Sequence, residues 1–156
     1  MSASRIIDNQ HARVGRWVIE RIGGIFHKQG SAAIGLEHEG KLIAGVLFDG
    51  YSERAVNIHL ACDKPLTREF IWFCFYYAFE QLRVKKLLGM VESTNEKALR
   101  LNKKLGFVHE HTIKDGSKSG DMVILSMTRE QCKWLNAVKR QGESHGQGLI
   151  QNAKNA

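Results

Sequence analysis

Apolar and polar positions alternate in two different rhythms along this chain, and the changes of rhythm divide it into elements. Val14, Trp17, Val18, Ile22 and Ile25 recur at helical spacing. Asp8 is placed to cap that helix and Gly23-Gly24 to end it. Two short apolar runs follow, 32–36 and 42–48, separated by Glu37-His38-Glu39-Gly40-Lys41, which predicts a β-hairpin with Gly40 in its turn. In 55–62, Val56, Ile58 and Leu60 alternate with Asn57 and His59, the period of a third strand.

After Pro65 the rhythm becomes helical again. Thr67 is a cap for a helix running to about Leu82, apolar on nearly all sides and therefore central. A strand over 87–91 and an amphipathic helix over 95–105 come next, the latter capped by Thr94 or Asn95 and closed by Gly106. Strands over 107–113 and 122–127 are joined by the polar stretch KDGSKSGD, and a last helix starts at Thr128. From Gln141 the chain has little to bury, so one domain over 1–138 and a polar, structureless tail over 139–156 are expected.

The step from strand 55–62 through a helix to strand 87–91 requires a parallel pair, within a sheet that is antiparallel elsewhere. Ligands tend to sit beyond the carboxyl ends of such strands, here near Cys62 and Glu92. The expected class is therefore α/β, a mixed and mostly antiparallel sheet with a cleft at one parallel pair.

Composition narrows the picture in three ways. With 156 residues, 43% hydrophobic and 25% charged, the chain suits one soluble domain with its own core. The apolar run Phe70–Phe79 rises only about 15 Å as a helix, too short to cross a bilayer. Three cysteines, Cys62, Cys74 and Cys132, lack Cys-x-x-Cys spacing, and no signal peptide opens the chain, so a reducing, cytoplasmic setting is expected. The net charge of +7 predicts an anionic partner without choosing among nucleic acid, an acidic protein and a phosphorylated cofactor. His109 and His111 are expected on one strand face, and with no carboxylate or cysteine beside them they do not imply a metal.

The segment NEKALRLNKKLGF, 95–107, resembles the motif Asn-x-x-Ala-x-x-Leu-Tyr-x-Lys-x-Gly-Phe of the GNAT acyl-CoA N-acetyltransferases. Asn95, Ala98, Leu101, Lys104, Gly106 and Phe107 match it, while Asn102 stands where the tyrosine would be. GKLIAGVLFDGY, PLTREFIWFCFYYAFEQLRVKKL and MTREQCKWL resemble, in that order, parts of a small branch common in bacteriophage and related bacterial genomes. Together these stretches span most of 14–135.

The resemblance implies a GNAT-like sheet whose parallel strands splay, with helices on both faces. It also implies acetyl-CoA as cosubstrate, no metal, and transfer to an amine of a protein N-terminus, a lysine or a small molecule by direct attack. A homodimer is one option for assembly, and a catalytically silent acyl-CoA- or protein-binding module is the alternative function. The implied cofactor contacts are Leu60, Ala61 and Cys62 on the third strand, Thr67, Arg68, Glu69 and Phe70 at the following helix start, and Asn95, Lys97, Ala98 and Arg100 beyond the second parallel strand.

Each of these residues also has a plainer role. Thr67 and Asn95 are good helix caps, and Lys97, Arg100, Lys103 and Lys104 make a basic helix face. The family's Gly-rich phosphate loop is missing, since no glycine occurs between Tyr51 and Gly89. Either Thr67 and Arg68 substitute through their side chains or the cofactor binds weakly. For the proton steps, His59 has a suitable intrinsic pKa, and Glu92 and Asp63 are alternative bases. Asn102 can donate a hydrogen bond to a leaving thiolate but cannot protonate it near neutral pH.

Overall fold

The two apolar runs near the N-terminus form a hairpin of β2 (Ala32–His38) and β3 (Lys41–Asp49), longer than expected because only Glu39-Gly40 are needed to turn. Both turn residues have positive φ, +51° and +79°, the handedness that matches strand twist. A computed structural model describes residues 3–137. In it β4 (Ala55–Cys62) pairs antiparallel with β3, and β5 (Lys86–Glu92) runs parallel to β4. A second hairpin, β6 (Val108–Ser117) and β7 (Gly120–Thr128), joins through β7 to β5. A short β1 (Arg5–Ile7) completes a seven-stranded sheet in the order β1-β2-β3-β4-β5-β7-β6. The expected mixed, mostly antiparallel α/β architecture is therefore present. The tail over 139–156 lies outside the described residues.

Helix α1 (His11–Ile22) covers one face of β2, β3 and β4. Val14 and Val18 bury there with Ala33, Leu47 and Ala61. The approach is close because Gly35 and Gly45 lie beneath it: a Cβ on Gly35 would stand 2.8 Å from Val14 Cγ2, and one on Gly45 2.8 Å from Val18 Cγ2. On the other face α2 (Arg68–Tyr76) buries Phe70, Trp72, Phe73, Cys74 and Phe75, which explains its apolar character on nearly every side. Helices α3 (Glu96–Leu105) and α4 (Lys133–Ala137) flank it. No helix among the described residues is long and apolar enough to cross a membrane.

Several local expectations are corrected. Asp8 does not cap α1: β1 pairs with 35–37 of β2, so the chain is still extended at Ile7, and Gln10 is the cap residue, with no side-chain bond to the helix. The central helix does not run as an α-helix to Leu82. Its last turn, 77–81, is π-helical, with Leu82 N–H donating to Tyr77 O at 2.8 Å. Most of KDGSKSGD is strand rather than loop, because β6 and β7 continue past a register irregularity between Ile113 and Ser117. Thr128 ends β7 instead of starting a helix, and α4 begins at Lys133. A bulge between His109 and His111 sets the first opposite Leu125 and the second opposite Ile124, so the two histidines leave the sheet on opposite faces.

Candidate active site: a gap between two parallel strands

Strands β4 and β5 stay paired only at Ala55/Lys86, Val56/Leu87 and Asn57/Leu88, although β4 continues to Cys62 and β5 to Glu92. Beyond Asn57 they part, and a cavity of about 580 Å³ opens between them. Strand backbone groups alternate between neighbours, and Lys86 N–H donates to Arg54 O. Val56, Ile58, Leu60 and Cys62 belong to the same set, so past the last pair Leu60 and Cys62 direct their amides and carbonyls into the gap.

Side-chain alternation decides which face each wall residue occupies. Asn57 pairs with Leu88, so His59 shares the α1 face with Met90 and Glu92, while Ile58 and Leu60 share the α2 face with Gly89 and Val91. Both groups line the cavity, which therefore passes through the sheet. On the α2 side its walls are Leu66, Phe70, Ile71 and Phe75 from α2 and the turn before it, with Ala98, Leu101, Asn102 and Leu105 from α3. On the α1 side they are Arg21, Ile22, Gly23 and Gly24, with Met122 of β7. One end is thus an apolar slot and the other a mixed rim.

Of the residues singled out by sequence, His59, Leu60, Phe70, Glu92, Asn95, Ala98 and Asn102 meet at this cavity. Thr67, Arg68 and Glu69 form the exposed start of α2 just outside it, where Thr67 Oγ1 accepts the Phe70 N–H at 3.1 Å. Asn95 caps α3, its Oδ1 accepting the Ala98 N–H at 3.1 Å. Ala61 is buried beneath α1 and Arg100 is exposed on α3, both off the wall. Cys62 is half-buried at the end of β4. Burial raises its thiol pKa, opposed by the nearby Lys97 charge.

The polar side chains of the site are mostly engaged. His59 Nε2 lies 3.1 Å from both carboxylate oxygens of Asp49. Burial alone would raise the Asp49 carboxyl, but the His59 hydrogen bond and charge, an Asn57 hydrogen bond and the His27 charge hold it below its ordinary value. Glu92 accepts from Ser119 Oγ at 2.8 Å, and Ser119 in turn meets Thr94 Oγ1 at 2.7 Å. Asp63 is gripped by Arg21 through Nε and Nη2, both at 3.0 Å, and the guanidinium stacks 3.6 Å above the Trp17 ring. That pair braces α1 against the end of β4. Asn102 Nδ2 donates to Ala98 O at 2.9 Å.

Sequence reasoning missed the apolar walls Ile71 and Phe75, the α1-side rim, and Asp49. The walls were legible only as core, since slot and core use the same side chains.

A strand pair that splays beyond one crossover helix, in a sheet of this order, decides the architecture. The chain has the GNAT fold. Spermidine/spermine N-acetyltransferase SpeG from Vibrio cholerae superposes with a TM-score of 0.68 at 16% identity, covering 87% of this chain and 99% of that one. Campylobacter jejuni N-acetyltransferase PseH, solved in complex with acetyl coenzyme A, gives 0.52 at 19% identity over 64% and 69% of the two chains. A probable acetyltransferase gives 0.61 at 16% identity over 84% and 98%. No protein-family model matches the chain, and no curated protein sequence matches it. Within the GNAT fold, the gap described here lies between the two strands that are parallel.

Proposed function

We propose that the protein is an acetyl-CoA-dependent N-acetyltransferase acting on a primary amine. The through-sheet cavity carries this reading: it offers a thioester and an amine separate entrances to one meeting place. The apolar slot fits an acyl-pantetheine arm, and the backbone groups of Leu60 and Cys62 offer it the bonds of a missing strand. In this reading Arg68, at the start of α2, and Lys97, in the first turn of α3, supply positive charge in place of a glycine loop, and Thr67 caps the helix whose first amides would meet the phosphates.

Acetyl-CoA supplies the acetyl group as a thioester. His59 and Glu92, both on the α1 face, stand where the amine enters, and either accepts its proton. The attacking nitrogen forms the C–N bond as the C–S bond breaks, and the thiolate takes a proton from water.

The acceptor end also bears on substrate class. Glu92 is the one carboxylate lining the cavity among the described residues, and Arg21 on the same wall is already paired with Asp63. A polyamine carries several positive charges and would find one counter-charge. A monoamine with an apolar neighbour, such as a protein N-terminus, suits Met90, Met122 and Ile22 better. The similarity to a bacteriophage-associated branch and a cytoplasmic setting belong to the same proposal.

At one hundred times Kd, acetyl-CoA should stabilise the fold by about 2.7 kcal/mol, a melting shift of roughly 5–10 °C. Incubation with acetyl-CoA and either spermidine or a peptide with a free N-terminus, followed by mass spectrometry, should acetylate the peptide faster. No shift at millimolar acetyl-CoA would sink the proposal. A shift with no acetylated product would favour a silent acyl-CoA-binding module, a reading supported by the missing loop and by the engagement of Asn102 with its own helix.

A further inference from the structure

Asp49 was not singled out by any motif, yet it is the residue that holds His59. It ends β3, where Gly50, at φ +62°, turns the chain away. The turn is tight around Asn57: a Cβ on Gly50 would stand 2.5 Å from Asn57 Nδ2. Asn57 in turn donates to the Asp49 carboxylate, and the His27 charge from the loop after α1 adds to its stabilisation. The carboxylate is thus held from β4 by Asn57 and meets His59 Nε2, on the same strand, with both oxygens at 3.1 Å. Side chains of the pair are 22% and 30% exposed, so water competes only partly for their hydrogen bond.

We propose that Asp49 is a positioning residue that fixes His59 in the Nε2–H tautomer and leaves Nδ1 as the proton acceptor for the incoming amine. An ionised carboxylate only accepts hydrogen bonds, so the nitrogen facing it carries the proton. In a neutral imidazole the other nitrogen then bears the lone pair. His59 contributes to the cavity wall on the α1 face, beside Met90 and Glu92. As the amine nitrogen attacks, its N–H electron pair stays on nitrogen and the proton passes to Nδ1. The C–S bond breaks with its pair on sulfur, the thiolate takes a proton from water, and Nδ1 releases its own to solvent. The Nε2 proton stays on the ring, donated to Asp49 throughout, and no oxidant or reductant is involved.

The inference rests on the acetyl-transfer reading but is tested first without it. Nitrogen-15 shifts of the His59 ring in the free, full-length protein, read at a pH where the ring is neutral, should show protonated Nε2 and bare Nδ1. A protonated Nδ1 would overturn the proposal whatever the activity. Asp49→Asn should give a mixture of the two tautomers while keeping the acetyl-CoA melting shift, which also reports that the variant is folded. With the N-terminal peptide as acceptor, kcat should fall roughly 10²-fold with KM nearly unchanged. An unchanged tautomer or an unchanged kcat in Asp49→Asn overturns it. If the wild-type ring has the expected tautomer but the protein acetylates no amine, the acetyl-transfer reading fails and the catalytic role of Nδ1 fails with it.

Discussion

Asn102 illustrates how a side chain's neighbours decide what it is free to do. Its place in the motif suggested a donor to a departing thiolate, but Nδ2 is spent on Ala98 O, one turn back along its own helix. One amide hydrogen is left for the cavity that the residue lines. Asn102→Ala should therefore keep acetyl-CoA binding and leave kcat within about threefold, against the 10²–10⁴ that general acid catalysis typically contributes. A drop of tenfold or more in kcat alone would assign the remaining hydrogen to the leaving group. The same contrast explains what sequence could disclose at this scale. The caps Thr67, Asn95 and Gly106 were legible because capping is settled within four residues. The Asp49–His59 pair was not, since it depends on the register of β3 against β4, in which Leu47, not Asp49, lies directly opposite His59.

Among the elements, the corner where β1, α1 and β2 meet shows local preference yielding to tertiary pairing. Asp8 had the better capping chemistry, yet strand pairing at 35–37 moved the helix start to His11. His11 then serves the sheet: its Nδ1 accepts the Ala33 N–H at 3.0 Å. Burial lowers its pKa below the ordinary value of 6.5, outweighing the Asp8 charge, which raises it. The folded state therefore binds fewer protons than the unfolded chain, and stability rises with pH across that interval. The His11 contribution is fully present above pH 6.5 and is lost as pH falls through the lower folded value. Melting temperature should decline on acidification from pH 7 in this window. His11→Asn, which keeps an acceptor in the Nδ1 position but does not titrate, should flatten the decline. A wild-type profile that is already flat from pH 7 to 5 would show that the ring titrates as it does in the unfolded chain. Strand lengths were underestimated at the β6–β7 hairpin for a related reason, as polar residues on an exposed edge strand carry no periodic signal.

For the molecule as a whole, the positive charge matters through its position relative to the gap. The parallel pair and its cleft were readable from element order, because only a crossover connection joins strands in that sense. How far the strands part, and that the cavity opens on both faces, were not readable, since both depend on where pairing stops. Electrostatics discriminates among the anionic partners that the net charge allowed. Lys97, in the first turn of α3, is close enough to β4 to act on the Cys62 thiol, whereas Lys103 lies in the last turn of the same helix. If Lys97 meets the 3′-phosphate of CoA, Lys97→Ala should weaken CoA at least tenfold and dephospho-CoA much less, because only the first ligand loses a contact. Lys103→Ala removes the same charge roughly 9 Å further along the helix, about one Debye length at physiological salt, and should change both ligands little. Titration calorimetry on the two variants with the two ligands separates these outcomes. Equal weakening of CoA and dephospho-CoA by Lys97→Ala would reduce its role to general attraction. Tight binding of duplex DNA at physiological salt, with an affinity falling steeply as salt rises, would instead move the basic helix to a nucleic-acid surface.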